Sequence, residues 1–250
     1  MPRFAANLTM LFQEVPMLER FELAKEAGFD VVEILFPYEE PGQDIRSALI
    51  RHDLSLCLIN CPPPNYNGGA RGFAAVPGGE DRFRYDFKRA LRYASLLKPT
   101  FIHIMSGEAE QGDAAHQTLV ENLRWACAEA PEQSLTIEPI NTDDLPGYYL
   151  CDFDHAVAVL DEVGAPNLGL QFDAYHAHKI TGDTMALWDR LGSRAVHVQV
   201  SAAEGRHEPV KGAIDYPAFF DRLDRDGYAG VVSAEYHPAG RTSDGLGWLP

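Results

Sequence analysis

The sequence predicts an α/β fold, an eight-stranded parallel (β/α)8 TIM barrel whose last helix is short or absent. Three observations predict it. β-type and helical patterns alternate from end to end, the order that covers both faces of a parallel sheet. Eight such units in 250 residues match the length of that barrel. The rival, an open doubly wound sheet, usually carries a Gly-rich phosphate loop, and neither G-x-G-x-x-G nor G-x-x-x-x-G-K-S/T occurs. No shift in composition divides the chain, so residues 1–250 read as a single domain.

The elements follow in order. Residues 3–8 form the first strand, and a helix near 15–27 starts with Pro16 in its first turn. Leu18, Phe21 and Ala24 share one face of that helix, and Gly28 stops it. Then come a strand at 30–36, a helix at 43–52 and a strand at 54–60. Residues 61–79 break the rhythm with four prolines and five glycines, the composition of a long functional loop such as an active-site cover. The alternation resumes with a helix at 82–97, a strand at 100–105, a helix at 115–130 and a strand at 135–140. A helix at 153–163, a strand at 168–172, a short helix at 185–191 and a strand at 195–200 come next. A helix at 217–226 and a strand at 230–235 complete eight strands and seven helices. The last fifteen residues are too rich in Gly and Pro for a full eighth helix, and the tail ending Trp248-Leu249-Pro250 reads as short.

Composition removes several classes of function. With 37 acids against 21 bases the net charge is −16, which excludes a general nucleic-acid binder and gives no support for an anionic-membrane partner. A small anionic substrate would need a metal or a local cluster of Arg and His against that field. Cys57, Cys61, Cys127 and Cys151 make no C-x-x-C pair and read as free thiols, mostly buried. The N-terminus lacks a secretory apolar region and no apolar run reaches the ~18 residues of a membrane span, so a soluble, cytoplasmic protein is expected. Homo-oligomerisation is left open.

Chemistry concentrates at the ends of four consecutive strands. Leu-Thr-Ile-Glu, Leu-Gly-Leu-Gln-Phe-Asp, Ala-Val-His-Val-Gln and Val-Val-Ser-Ala-Glu end on Glu138, Asp173, Gln199 and Glu235, spaced 35, 26 and 36 residues apart. Alone, an acid at a strand end is most often a helix cap or a surface charge. Four in succession, on parallel strands of one barrel, converge on one mouth. Three carboxylates there repel one another unless a cation shares them. An all-oxygen set suits a hard divalent ion, Mg²⁺ or Mn²⁺, better than zinc. Such an ion accepts a chelating hydroxy-ketone and acts as a Lewis acid on its carbonyl. His176, Arg206 and His207 follow the sixth and seventh strands as substrate contacts, Arg206 as a fork for a carboxylate. Glu33, Asn60 and His103 end earlier strands with less reason to single them out, and His155 and His178 look like ordinary helix or loop residues.

The same words resemble a known family. Arg-Phe-Ala-Ala-Asn-Leu at 3–8, Leu-Phe-Pro-Tyr at 35–38, Ile-Glu-Pro-Ile-Asn at 137–141, Gln-Phe-Asp-Ala-Tyr-His at 171–176, Ala-Glu-Tyr at 234–236 and Gly-Leu-Gly-Trp at 245–248 are similar to hydroxypyruvate isomerases and 2-oxo-tetronate isomerases of the xylose-isomerase-like barrels. The resemblance runs nearly end to end. It implies a metal-dependent isomerase that moves a carbonyl between adjacent carbons of hydroxypyruvate, giving tartronate semialdehyde, with 2-oxo-tetronate as the alternative substrate. It carries the catalytic glutamates onto Glu138 and Glu235, and the metal quartet onto Glu138, Asp173, Gln199 and Glu235. Where the family pattern has Lys-Pro this chain has His237-Pro238, which makes His237 a candidate for binding the anionic substrate. Keto-sugar 3-epimerases typically have His where this chain has Gln199. Apurinic-site endonucleases need a His-rich zinc cluster and a basic face, and a non-catalytic sugar-acid binder remains a further alternative.

Overall fold

The computed structural model describes residues 2–61 and 71–249. Its eight strands are β1 (Arg3–Asn7), β2 (Val31–Glu33), β3 (Ser55–Asn60), β4 (Phe101–His103), β5 (Ser134–Ile137), β6 (Leu168–Asp173), β7 (Ala195–Val200) and β8 (Val231–Ala234). All pair in parallel with their sequence neighbours, and β1 pairs β8 through Ala5↔Ser233 and Ala6↔Ala234, which closes the barrel. The helices are α1 (Arg20–Glu26), α2 (Gly42–Arg51), α3 (Glu80–Leu97), α4 (Asp113–Glu129), α5 (Phe153–Val163), α6 (Ala174–Thr181), α7 (Thr184–Leu191) and α8 (Tyr216–Arg225). Apolar stripes such as Phe83, Phe87 and Ala90 on α3 and Phe219 and Leu223 on α8 are buried against the outside of the strands.

The predicted architecture is the observed one, with one helix more than the seven expected. Residues 174–181, within a stretch expected to follow the sixth strand as loop, form α6. Asp173 supplies its N-cap by accepting the Tyr175 N–H, and Gly182 ends it at φ +79°. After β8 the described residues hold only a 3₁₀ segment, Thr242–Trp248, whose Trp248 packs edge-on against Phe4 and donates to the Tyr236 hydroxyl at 3.2 Å. Among the described residues no helix is long and apolar enough to cross a membrane. Of the loop predicted at 61–79, residues 62–70 lie outside the described residues.

Two features position the mouth. The register shifts between Val32 and Glu33 and again between Leu170 and Gln171, irregularities of the kind that re-aim side chains next to active sites. Gly169 makes room for the second: a Cβ there would meet the Val196 side chain at 2.6 Å. The loops after β3, β4 and β5 are also knitted together, through the bridges Gly72↔Ser106 and Glu108↔Tyr148. Gly72 and Gly107 both have positive φ and lie back to back. A Cβ on Gly72 would come within 2.2 Å of the Met105 carbonyl oxygen, and one on Gly107 within 2.3 Å of the Gly72 oxygen.

Candidate active site

The C-terminal ends of the strands open into a cavity of ≈ 730 Å³ lined by Glu138, Gln199, Glu235, His176 and Arg206, among others. Glu138 and Glu235 each follow the last residue of their strand, while Asp173 and Gln199 are ladder partners at the ends of β6 and β7. All four are nearly fully buried. Asp173 serves both readings of an acid at a strand end. Its Oδ1 caps α6, leaving Oδ2 to face His176 Nε2 at 3.6 Å and Arg206 Nη2 at 3.4 Å.

The charge on this cluster is partly balanced from within. Arg206 reaches over the mouth and places Nη2 3.1 Å from Glu235 Oε1, with its guanidinium 4.9 Å from the Tyr175 ring centre. Gly205 and Arg206 both adopt positive φ, a turn that is costly for a non-glycine residue and that directs this side chain back into the site. Burial alone would lower the Arg206 pKa, but Glu235, Asp173 and Glu138 outweigh it and hold the guanidinium more firmly charged than usual. Both carboxylates are met by Nη2, while the buried Nε has no hydrogen-bond partner among the described residues.

Three carboxylates against one guanidinium leave a net −2 if all ionise. Glu138 is pushed well above the usual carboxylate range, first by burial and then by Asp173 and Glu235. Glu235 is also raised by burial, with Arg206 opposing. A divalent cation matches this deficit in sign and size. Glu138, Asp173 and His176 offer ligand atoms within 4.8 Å of one another, and Gln199 and Glu235 line the cavity that Glu138 and His176 also line. The residues present thus fit a hard divalent ion, with His176 beside them as a substrate contact.

His176 is neutral in this setting. Burial lowers its pKa to about 4, against the pull of Asp173. The Asn141 backbone N–H, 3.4 Å away, can only donate to Nδ1, and the Asn141 side-chain nitrogen lies 2.7 Å from the same atom. The ring proton therefore sits on Nε2, facing the carboxylates. His237 lines the cavity, and its pKa is lowered by burial, Arg206 and His207. His207 is exposed and outside the cavity lining. Its Nδ1 lies 2.8 Å from the His237 carbonyl oxygen, so it contacts the segment that carries His237.

A second polar layer lies beneath the first, and the sequence reading largely missed it. Gln171 donates through Nε2 to Glu138 Oε2 at 2.9 Å and to Gln199 Oε1 at 2.7 Å, while its Oε1 accepts from the Thr136 hydroxyl. Gln199 donates in turn to Glu33 Oε1 at 2.8 Å. Glu33 also accepts from Asn7 at 2.7 Å and meets His197 Nε2 at 2.7 Å across the barrel. A carboxylate can only accept, so Glu33 fixes the Gln199 amide with its nitrogen toward Glu33 and its oxygen accepting from Gln171. The signal was in the strand period. Thr136, Gln171, His197 and Ser233 each stand two residues before a member of the quartet, on the same face of the strand.

His103 adjoins this layer, with Nδ1 3.1 Å from Asn60 Oδ1 and 3.6 Å from Glu138 Oε2. Burial lowers its pKa from 6.5 to about 3, with His197 and His176 adding to the shift. Between these values the unfolded chain binds the proton that the folded chain refuses, so stability falls as pH drops. Urea titrations of the metal-free protein from pH 7 to pH 3.5 should show this loss, and a His103→Gln chain should lack that part of the slope. Parallel curves for the two chains would contradict a neutral buried His103.

With the geometry established, the relatives can be set beside it. The family model described as xylose isomerase-like TIM barrel matches residues 21–250. The chain belongs to that family. It is 42% identical over 255 residues to the 2-oxo-tetronate isomerase of Cupriavidus necator, covering 100% of this chain and 98% of that one. It is 38% identical to the hydroxypyruvate isomerase of Escherichia coli, again covering 100% and 98%. The crystal structure of a protein described as AP endonuclease, family 2, from Brucella melitensis superposes with a TM-score of 0.96 at 43% identity, covering 100% and 98%. A D-psicose 3-epimerase from Clostridium cellulolyticum, at 17% identity and a TM-score of 0.77, shares the fold alone. The curated relatives that match from end to end are isomerases, and this chain is an isomerase of that group.

Proposed function

We propose that this protein is a divalent-metal-dependent isomerase that exchanges the carbonyl and hydroxyl of a short 3-hydroxy-2-keto acid, with hydroxypyruvate as substrate and 2-hydroxy-3-oxopropanoate as product. The observation that carries it is the pair Glu138 and Glu235, both raised toward protonation by burial, facing one cavity beside a neutral His176. Groups poised in this way suit proton transfer at carbon near neutral pH. Glu138, Asp173, Gln199 and Glu235 would hold Mg²⁺ or Mn²⁺, which when bound polarises the carbonyl and lowers the cost of the enediolate.

The chain's own residues supply the rest. Glu235, which pairs with Arg206 at 3.1 Å, takes the proton from C3. Glu138, whose nearest charged neighbours favour its protonated form, returns a proton at C2, while the proton of the C3 hydroxyl passes to the adjacent oxygen on C2, so that the carbonyl moves to C3. The His176 Nε2–H donates to the oxygen that gains charge. In the reverse direction the two glutamates exchange roles.

The four-carbon 2-oxo-tetronate is a second reading, favoured by the 42% identical relative and accommodated by the ≈ 730 Å³ cavity. An apurinic-site endonuclease fits less well, because the charge is −16 and each metal-capable group among the described residues contains one histidine. The test is to incubate metal-stripped and Mn²⁺-loaded protein with hydroxypyruvate in deuterated water and follow both by NMR. The loaded protein should form product with deuterium at C2, and the stripped protein should not. No product and no C–H exchange, with 2-oxo-tetronate equally inert, would sink the proposal.

A further inference from the structure

We propose that Arg71 binds the substrate carboxylate and so selects keto acids over neutral sugars, an inference that rests on the keto-acid reading above. The cavity is lined by the acids Glu138, Glu235 and Asp144, so an incoming carboxylate needs a permanent cation to hold it. Arg206 already holds Asp173 and Glu235 through Nη2, so its charge is shared with two of the protein's own carboxylates. His103 faces Asn60 and Glu138, and His176 faces Asn141 and Asp173. Arg71 is the remaining cation on the cavity lining, and among the described residues it forms no ion pair.

Its placement is also specified. The Arg71 guanidinium lies 5.7 Å from the centre of the Phe36 ring, itself part of the lining, which supports it face-on without consuming its donors. The next residue, Gly72, bridges to Ser106 after β4 through the close Gly72–Gly107 contact. The segment beyond is tied down by Ala75 N–H to the Ser106 oxygen at 2.7 Å and by the Asn122 side chain to the Ala74 oxygen at 2.9 Å. The guanidinium thus has a supported backbone on one side and an aromatic face on the other, with its planar fork available for bidentate pairing. Arg71 and Glu138 both act on the buried Tyr148 hydroxyl, with opposite effects on its pKa, which places them in one electrostatic environment.

Binding of hydroxypyruvate to the Mn²⁺-loaded protein, measured by calorimetry, provides the test, with Mn²⁺ affinity followed by electron paramagnetic resonance in the same variants. Arg71→Gln should raise the hydroxypyruvate Kd roughly 100-fold while leaving the Mn²⁺ Kd within about threefold, and Arg71→Lys should fall between it and the parent. A hydroxypyruvate Kd unchanged in Arg71→Gln overturns the assignment. So does a parallel weakening of both ligands, which marks Arg71 as structural. A parent protein that binds keto acids in an Arg71-dependent way but isomerises none keeps this assignment and defeats the catalytic reading. A parent that binds no keto acid overturns it.

Discussion

Glu138→Gln and Glu235→Gln should each lower turnover by about 10³-fold, the scale expected for losing a positioned acid or base, while making the metal-free protein more stable. The two effects share one cause. Both carboxylates are raised above their ordinary pKa by burial, and both feel Asp173 as a like charge. In the folded state each therefore costs free energy whenever it is ionised, and stability from this source declines as pH rises above the ordinary 4.5. An amide of the same shape removes that cost and the chemistry together. Single-turnover exchange in deuterated water and thermal melts at pH 8 would read the pair. Activity within tenfold of the parent would remove both residues from the acid–base role, and a lower melting point would contradict the electrostatic account.

Glu33→Ala should cost on the order of 3–5 kcal/mol, because it strands several fully buried donors at once. Asn7, His197 and Gln199 all point at this carboxylate, and all four residues have essentially no exposed surface. Removing the acceptor also frees the Gln199 amide to turn its nitrogen toward the mouth. Divalent-ion affinity should then fall by roughly 10- to 100-fold, as it does when an outer partner of a metal ligand is lost. Glu33→Gln separates the two effects. It keeps the volume but must present an N–H₂ to at least one donor, so it should fold better than the alanine variant and still bind Mn²⁺ weakly. Chemical denaturation and Mn²⁺ titration would measure them, and a Glu33→Gln protein with parental Mn²⁺ affinity would exclude an orienting role.

The barrel was legible because its determinants are periodic. Each predicted strand overlaps an observed one, and the Gly-rich end of the chain did become a short 3₁₀ segment rather than a helix. Helix α6 was lost because Asp-Ala-Tyr-His was read for its chemistry, although Asp173 is also an N-cap and Gly182 a stop. At the mouth, the four strand ends were legible one strand at a time; in the structure Glu138, Gln199 and Glu235 line one cavity, and Asp173 stands behind its lining residues His176 and Arg206. What no single strand records is the pairing across the barrel. The Glu33–His197 contact joins residues 164 positions apart, and the Arg206 fork depends on a two-residue left-handed turn. Arg206 was expected to meet a substrate carboxylate; it meets Asp173 and Glu235.

That fork bears on how the molecule is made. Three acids gathered on separate strands would oppose closure of the barrel during synthesis, and a chain dependent on an outside ion would wait for one before folding. Arg206 lies on the loop between β7 and α8, so it emerges before Glu235 and can bridge Asp173 and the last strand as that strand docks. The acidic mouth can thus assemble around an internal counterion. On the metal-dependent reading, the ion would enter a finished site, and its uptake would follow supply of the ion rather than the timing of translation.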